Sequence, residues 1–146
     1  MPGSVDSHTA LRFGDIATLL RPRNLLPDDG ARAQYMLKAR GAIYLFLRSL
    51  PSAMRDEVLL PAYHCPTMVY AIEEAGFRPV YYGIDDQLGI DLASLQTALG
   101  PKTAAVITVN YFGFPMPLVD AAVAIRANGA MLLEDCSHSF LQACPL

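Results

Sequence analysis

Four short apolar runs open near residues 58, 80, 104 and 130, spaced 22 to 26 residues apart, and each gap holds a helix-like pattern with its own stop signal. That repeat constrains the fold more than any other feature of the chain. Parallel strands need a long crossover connection, usually a helix, and an interval of this length accommodates one strand, one helix and two turns. The predicted class is α/β, a three-layer arrangement with a mostly parallel sheet of about five strands and crossover helices.

Read in order, Gln34 to Lys38 predicts a first strand and Gly41 to Leu50 a helix with Ile43, Leu47 and Leu50 on one face, stopped by Pro51. Val58 to Pro61 is the next strand. Pro66 suits a first helical turn, Val69 and Ile72 share a face, and Gly76 supplies a left-handed cap before the strand Val80 to Gly83. Asp91 can cap a helix carrying Leu92, Leu95 and Leu99, which Gly100-Pro101 ends. Thr103 to Val109 reads as a β-branched strand. A last helix opens near Pro117, turns Leu118, Ala122 and Ile125 inward and stops at Asn128-Gly129, ahead of the strand Ala130 to Glu134. Residues 1–32, with Pro22, Pro27 and Asp28-Asp29-Gly30, read as an N-terminal arm with room for one helix around Ile16 to Leu20; residues 33–146 form the domain.

The chain is apolar for its size, with 53% hydrophobic and only 17% charged residues against a typical charged share of about 25%. Such a surface is expected to be covered by something else. The run Ala104 to Val109 falls far short of the roughly 18 apolar residues of a membrane helix, so a membrane is not an expected partner. A net charge of -3 without a Lys/Arg run argues against nucleic acid. The N-terminus lacks a basic start followed by an apolar core, and Cys65, Cys136 and Cys144 are odd in number and unclustered, so a cytoplasmic location is expected.

In a parallel sheet all strands end at one rim, and ligands of open α/β sheets bind there. The rim collects Ala39-Arg40-Gly41-Ala42, Tyr63-His64-Cys65, Asn110-Tyr111-Phe112-Gly113 and Asp135-Cys136-Ser137-His138. Small residues around Arg40 and Gly41 let helix-start N–H groups approach an anion, with the guanidinium as an added charge, although plain helix-on-strand packing explains the same residues. Asp135 ends an apolar strand and offers a carboxylate to a cationic or protonated ligand atom; a turn or helix-cap Asp is the competing reading. Pyridoxal phosphate (PLP) asks for this set: a phosphate anchor, a ring-stacking group, a carboxylate on the pyridinium nitrogen and a lysine.

From Gly41 onward, the order of Asp56-Glu57-Val58-Leu59-Leu60-Pro61, Gly76-Phe77-Arg78-Pro79-Val80, Asn110-Tyr111-Phe112-Gly113 and Leu133-Glu134-Asp135 resembles the DegT/DnrJ/EryC1/StrS sugar aminotransferases, a branch of the fold type I PLP enzymes. The resemblance spans about residues 34 to 142. It implies an incomplete fold type I large domain, from whose seven-stranded sheet two strands between those near Gln34 and Leu132 are absent. It implies PLP as cofactor, a nucleotide-linked keto sugar and an amino-acid donor as substrates, and a homodimer. Carried over by position, Asp135 holds the pyridinium nitrogen, His138 faces the ring oxygen where the family often has Gln, and Arg40-Gly41 lie at the phosphate, Arg40 in place of a small hydroxyl residue. Tyr63-His64-Cys65 stands where relatives often carry Thr and a stacking aromatic, leaving His64 or Tyr63 to stack.

The family holds its cofactor through a lysine well beyond the aspartate, and this chain has only Lys38 and Lys102, both before it. The chain is therefore expected to be the N-terminal portion of a longer enzyme, lacking later strands and the small C-terminal domain, and not to transaminate alone. Other readings are a non-catalytic binding module of the same fold, a thiol enzyme pairing Cys65 or Cys136 with His64 or His138, and a metal site from His64, Cys65, Cys136, His138 and Cys144.

Overall fold

The computed structural model describes residues 36–51, 55–114 and 116–139. The elements in chain order are α1 (Ala39–Ser49), β1 (Glu57–Pro61), α2 (Pro66–Glu74), β2 (Arg78–Tyr82), α3 (Leu92–Ala98), β3 (Thr103–Val109), a 3-10 turn (Tyr111–Gly113), α4 (Val119–Asn128) and β4 (Met131–Asp135). The four strands form one sheet in the order β2-β1-β3-β4. Every pairing is parallel.

Burial explains the continuous apolar runs. All seven residues of β3 and four of the five in β1 are buried, because both strands are central and covered on two faces. The edge strands β2 and β4 are only partly covered. On one face α1 and α2 press Ile43, Leu47, Met68 and Ile72 against Val58, Leu60, Ala105 and Ile107. On the other, α3 and α4 press Leu95, Ala121 and Ile125 against Leu59, Tyr82 and Val106. Each fully buried Leu or Ile in these layers contributes about 1.5–3 kcal/mol through loss of apolar surface to water.

Local signals set the helix ends. The Asp91 carboxylate accepts from Ser94 N at 3.0 Å and starts α3. Pro66 opens α2, where its missing N–H costs nothing. Gly76 (φ +89°) and Gly129 (φ +78°) end α2 and α4 in the left-handed region that a side chain would strain.

The described part of the expected first strand, Met36–Lys38, is not a strand but an exposed approach to α1, with Lys38 extended at the helix N-cap, while Gln34 lies outside the described residues. Helix α1 begins two residues earlier than its periodicity suggested, since Ala39 and Arg40 are good helix formers and join the first turn. The expected N-terminal arm, residues 1–32, also lies outside the described residues.

Candidate functional site

The C-terminal ends of β1, β3 and β4 bring three of the four sequence-nominated segments to one rim, while Arg40-Gly41 follow no strand among the described residues and start α1. Asp135 closes β4 opposite Val109 of β3, and its carbonyl accepts from Asn110 N at 3.0 Å, which fixes the backbone from which the carboxylate projects. Asp135 Oδ1 accepts from Ser137 N at 2.8 Å and from the Ser137 hydroxyl. The turn-forming role is thus real, but it uses one oxygen. Among the described residues Oδ2 carries no hydrogen bond. Beside it, Asn110 Nδ2 donates to Glu134 Oε1 at 2.6 Å, so the other acid of the Glu134-Asp135 pair is occupied with the strand neighbour.

Arg40 and Gly41 lie in the first turn of α1, whose N-cap Lys38 gives no side-chain cap. Gly41 N donates to Lys38 O at 2.9 Å, whereas the N–H groups of Ala39 and Arg40 precede any intrahelical acceptor. A Cβ placed on Gly41 would meet nothing within 4 Å, so the space beside this residue is open. Arg40 is exposed.

Cys65 is the N-cap of α2 and is exposed. Its thiol lies 3.1 Å from the Thr67 hydroxyl. That hydroxyl, then the Thr67 backbone, draws the thiol below its ordinary range; Asp135 opposes this and Arg40 assists it. One thiol therefore feels both the carboxylate at the end of β4 and the guanidinium at the start of α1. These three residues, from separate elements, share one electrostatic neighbourhood.

His64 is placed differently. Its Nδ1 is 2.8 Å from Pro61 O, and its ring stacks on Tyr81 of β2 with centroids 5.2 Å apart and planes 12° apart. Its plane is thus engaged by a protein ring. Tyr63 is more exposed, and its ring lies 5.4 Å from that of Tyr111. His138 stacks on Phe112 at 5.7 Å and 25°, and its Nδ1 accepts from Phe112 N at 3.4 Å. Phe112 adopts a left-handed φ of 53°.

Tyr111 was not nominated from the sequence for the site. Its hydroxyl donates to the Tyr63 carbonyl, linking the segment after β3 to that after β1. Burial pushes its pKa up to about 12, with Tyr63 and Asp135 adding to the rise, so it remains a neutral donor. An aromatic directly after a strand is too common a signal to single it out. Thr67 and Ser137 also went unnominated, and only their spacing of two residues from Cys65 and Asp135 hinted at local support.

The thiol reading loses a partner, since Cys65 bonds to Thr67 while His64 and His138 bond to backbone groups. Among the described residues no group of three or more His, Cys, Asp or Glu could hold a metal ion, and Cys144 lies outside them. Nor is any helix there long and apolar enough to cross a membrane.

Comparison with known proteins agrees with this architecture. Residues 38–143 match the model of the DegT/DnrJ/EryC1/StrS aminotransferase family. A UDP-N-acetyl-3-dehydro-alpha-D-glucosamine 3-aminotransferase of Acidithiobacillus ferrooxidans is 28% identical over 99 residues, 67% of this chain and 27% of that enzyme. A GDP-4-keto-6-deoxy-D-mannose 3-dehydratase of Escherichia coli is 33% identical over 117 residues, 79% of this chain and 29% of the enzyme. Among solved structures, the aminotransferase TlmJ of Streptoalloteichus hindustanus superposes with a TM-score of 0.61 at 30% identity, over 70% of this chain and 28% of that one. A GDP-4-keto-6-deoxymannose-3-dehydratase with a trapped PLP-glutamate geminal diamine gives 0.61 at 31% identity, over 68% and 28%. The chain thus spans less than a third of the length of these relatives. Its parallel sheet, its helix order and a family match across most of its length lead to one statement: the chain belongs to the DegT/DnrJ/EryC1/StrS aminotransferase family.

Proposed function

We propose that this chain supplies the cofactor-holding part of a PLP-dependent aminotransferase that acts on a nucleotide-linked keto sugar with an amino acid as donor. The observation that carries the reading is Asp135, whose carboxylate is anchored through Oδ1 and open at Oδ2, within electrostatic reach of the thiol that also feels Arg40. The donor set fits the cofactor at both ends. An uncapped helix start with open space beside Gly41, backed by Arg40, suits a phosphate dianion. A carboxylate at the far strand suits a protonated ring nitrogen.

When bound, PLP supplies an electron sink for a carbanion beside the ring. Asp135 would hold the proton on the ring nitrogen, Arg40 and the first turn of α1 would bind phosphate, and His138 would face the ring oxygen. Cys65 and Tyr63 would border the ring, with His64 supporting their loop through Pro61 and Tyr81. Lys102 lies in the turn before β3, at the opposite rim, so it is not placed to bond the cofactor. The lysine for covalent attachment matches neither Lys38 nor Lys102, and amino transfer is a property of the longer protein that carries this segment. A homodimer in the cytoplasm is part of the same reading, the dimer supported by the exposed apolar Leu37 and Leu45 before and within α1.

Titration of the 146-residue chain with PLP, followed by absorbance and calorimetry, tests the half-site. Asp135→Ala and Asp135→Asn are expected to weaken binding at least about tenfold, the scale of a lost charge-assisted hydrogen bond. Unchanged affinity in both variants would remove Asp135 from the site. The 33% identical dehydratase favours a second reading, the same half-site serving dehydration. Product analysis on the longer protein separates the two, since transfer yields an aminosugar and dehydration a deoxysugar without a new amine.

A further inference from the structure

We propose that the Phe112 backbone amide fixes His138 as the neutral tautomer with its proton on Nε2, making Phe112 a positioning residue and His138 a dedicated hydrogen-bond donor to the cofactor's ring oxygen. The role at the ring oxygen rests on the cofactor reading above; the tautomer does not.

A backbone N–H can only donate. Phe112 N lies 3.4 Å from His138 Nδ1 in hydrogen-bond geometry, so Nδ1 must offer its lone pair and the single proton of a neutral ring must sit on Nε2. Two further features hold the arrangement. Phe112 stands at φ 53°, a left-handed value that bulky residues adopt only when their surroundings impose it. Its ring stacks on the imidazole at 5.7 Å and 25°, fixing the plane about which His138 would otherwise flip. Among the described residues Nε2 of His138 carries no hydrogen bond, which leaves its N–H for a ligand.

His64 supplies the internal contrast. Its Nδ1 faces the Pro61 carbonyl at 2.8 Å, and a carbonyl can only accept, so His64 carries its proton on Nδ1 and a lone pair on Nε2. Two imidazoles on one rim are therefore held in opposite tautomers by opposite backbone groups. A donor, not an acceptor, matches a phenolic oxygen that gains negative charge as the ring withdraws electrons. Gln at position 138 can offer an amide N–H at similar reach, whereas Ala cannot.

The test is long-range 1H–15N correlation spectroscopy of the imidazole rings in the full 15N-labelled chain, read in alkaline buffer where the ring signals no longer move with pH. Resonances are assigned with His8→Gln, His64→Gln and His138→Gln. His138 is expected with an unprotonated Nδ1 and a protonated Nε2, and His64 with the reverse. Phe112→Gly, which frees the backbone and deletes the stack, is expected to average the His138 tautomers and leave His64 unchanged. In PLP titrations His138→Gln should stay within about threefold of the parent chain and His138→Ala should lose about tenfold, one hydrogen bond's worth. A His138 ring protonated on Nδ1, or equal affinities for the Gln and Ala variants, would overturn the proposal. If the assigned tautomers are found but the parent chain binds no PLP, the cofactor reading fails and the Phe112 lock stands.

Discussion

The two rims of this sheet are built on opposite plans. At the rim where strands begin, Arg55 reaches across the chain: Nη1 donates to Thr103 O at 2.7 Å and to Asn128 Oδ1 at 3.4 Å, and Nη2 donates to Asn128 O at 3.0 Å. Asn128 Nδ2 then donates to Gly100 O at 3.1 Å. One guanidinium ties the entry of β3 to the end of α4. At the rim where strands end, three of the groups nominated for a ligand are propped by near neighbours, Asp135 by Ser137, His64 by Pro61 and Cys65 by Thr67, while Tyr111 reaches from one segment to the backbone of another 48 residues away. Long-range staples hold the fold, while short local props orient a group and leave its remaining valence for something else.

That contrast can be broken experimentally, and the largest effect belongs to the staple. Arg55→Ala removes donors from two carbonyls and an amide, and is expected to cost about 2–3 kcal/mol in urea unfolding with little change in PLP affinity per folded molecule. Loss of PLP binding without loss of stability would invert the division between the rims. Gly129→Ala comes next. Gly129 sits at φ +78°, and an added Cβ would stand 3.3 Å from Arg55 Nη2, so a loss of about 1–2 kcal/mol is expected in the same measurement. Asp91→Ala is the smallest and sharpens the comparison within the ligand-facing rim. This carboxylate caps α3 through Ser94, and its loss should cost about 1 kcal/mol and leave PLP titration unchanged, the reverse of the outcome for Asp135→Ala.

How far the sequence could be read follows from the same physics. The strands were expected to start near 58, 80, 104 and 130 and start at 57, 78, 103 and 131, because Pro, Gly and capping Asp residues punctuate the chain locally. The segment at Gln34 misled for the opposite reason. Its short apolar stretch has no punctuation of its own, and Met36–Lys38 lead into a helix. Lateral order was not legible either, since nothing in a period of 22 to 26 residues says that β2 lies outside β1 while β3 lies on its other side.

At the site, the position of Asp135 at a strand end was readable, because an apolar run that stops at an acid is a local pattern, even though the strand is only partly covered. The pairings of His64 with Tyr81 and of His138 with Phe112 were not. The first depends on the β1–β2 register and the second on a left-handed backbone at a phenylalanine, which sequence gives no reason to expect. Arg55 was invisible for a related reason: its three acceptors lie 48 to 73 residues away.

The strand order carries one more consequence. From β1 the chain departs into α2 on one face of the sheet, and from β3 it departs toward α4 on the other, although β1 and β3 are side by side. Their exits diverge, and such a topological switch point opens a crevice over the two strand ends without any residue having to carve it. The Tyr111 hydroxyl bound to the Tyr63 carbonyl spans that parting like a crossbeam. A single tyrosine thereby ties the two diverging exits together, directly above the most deeply buried of the described strands.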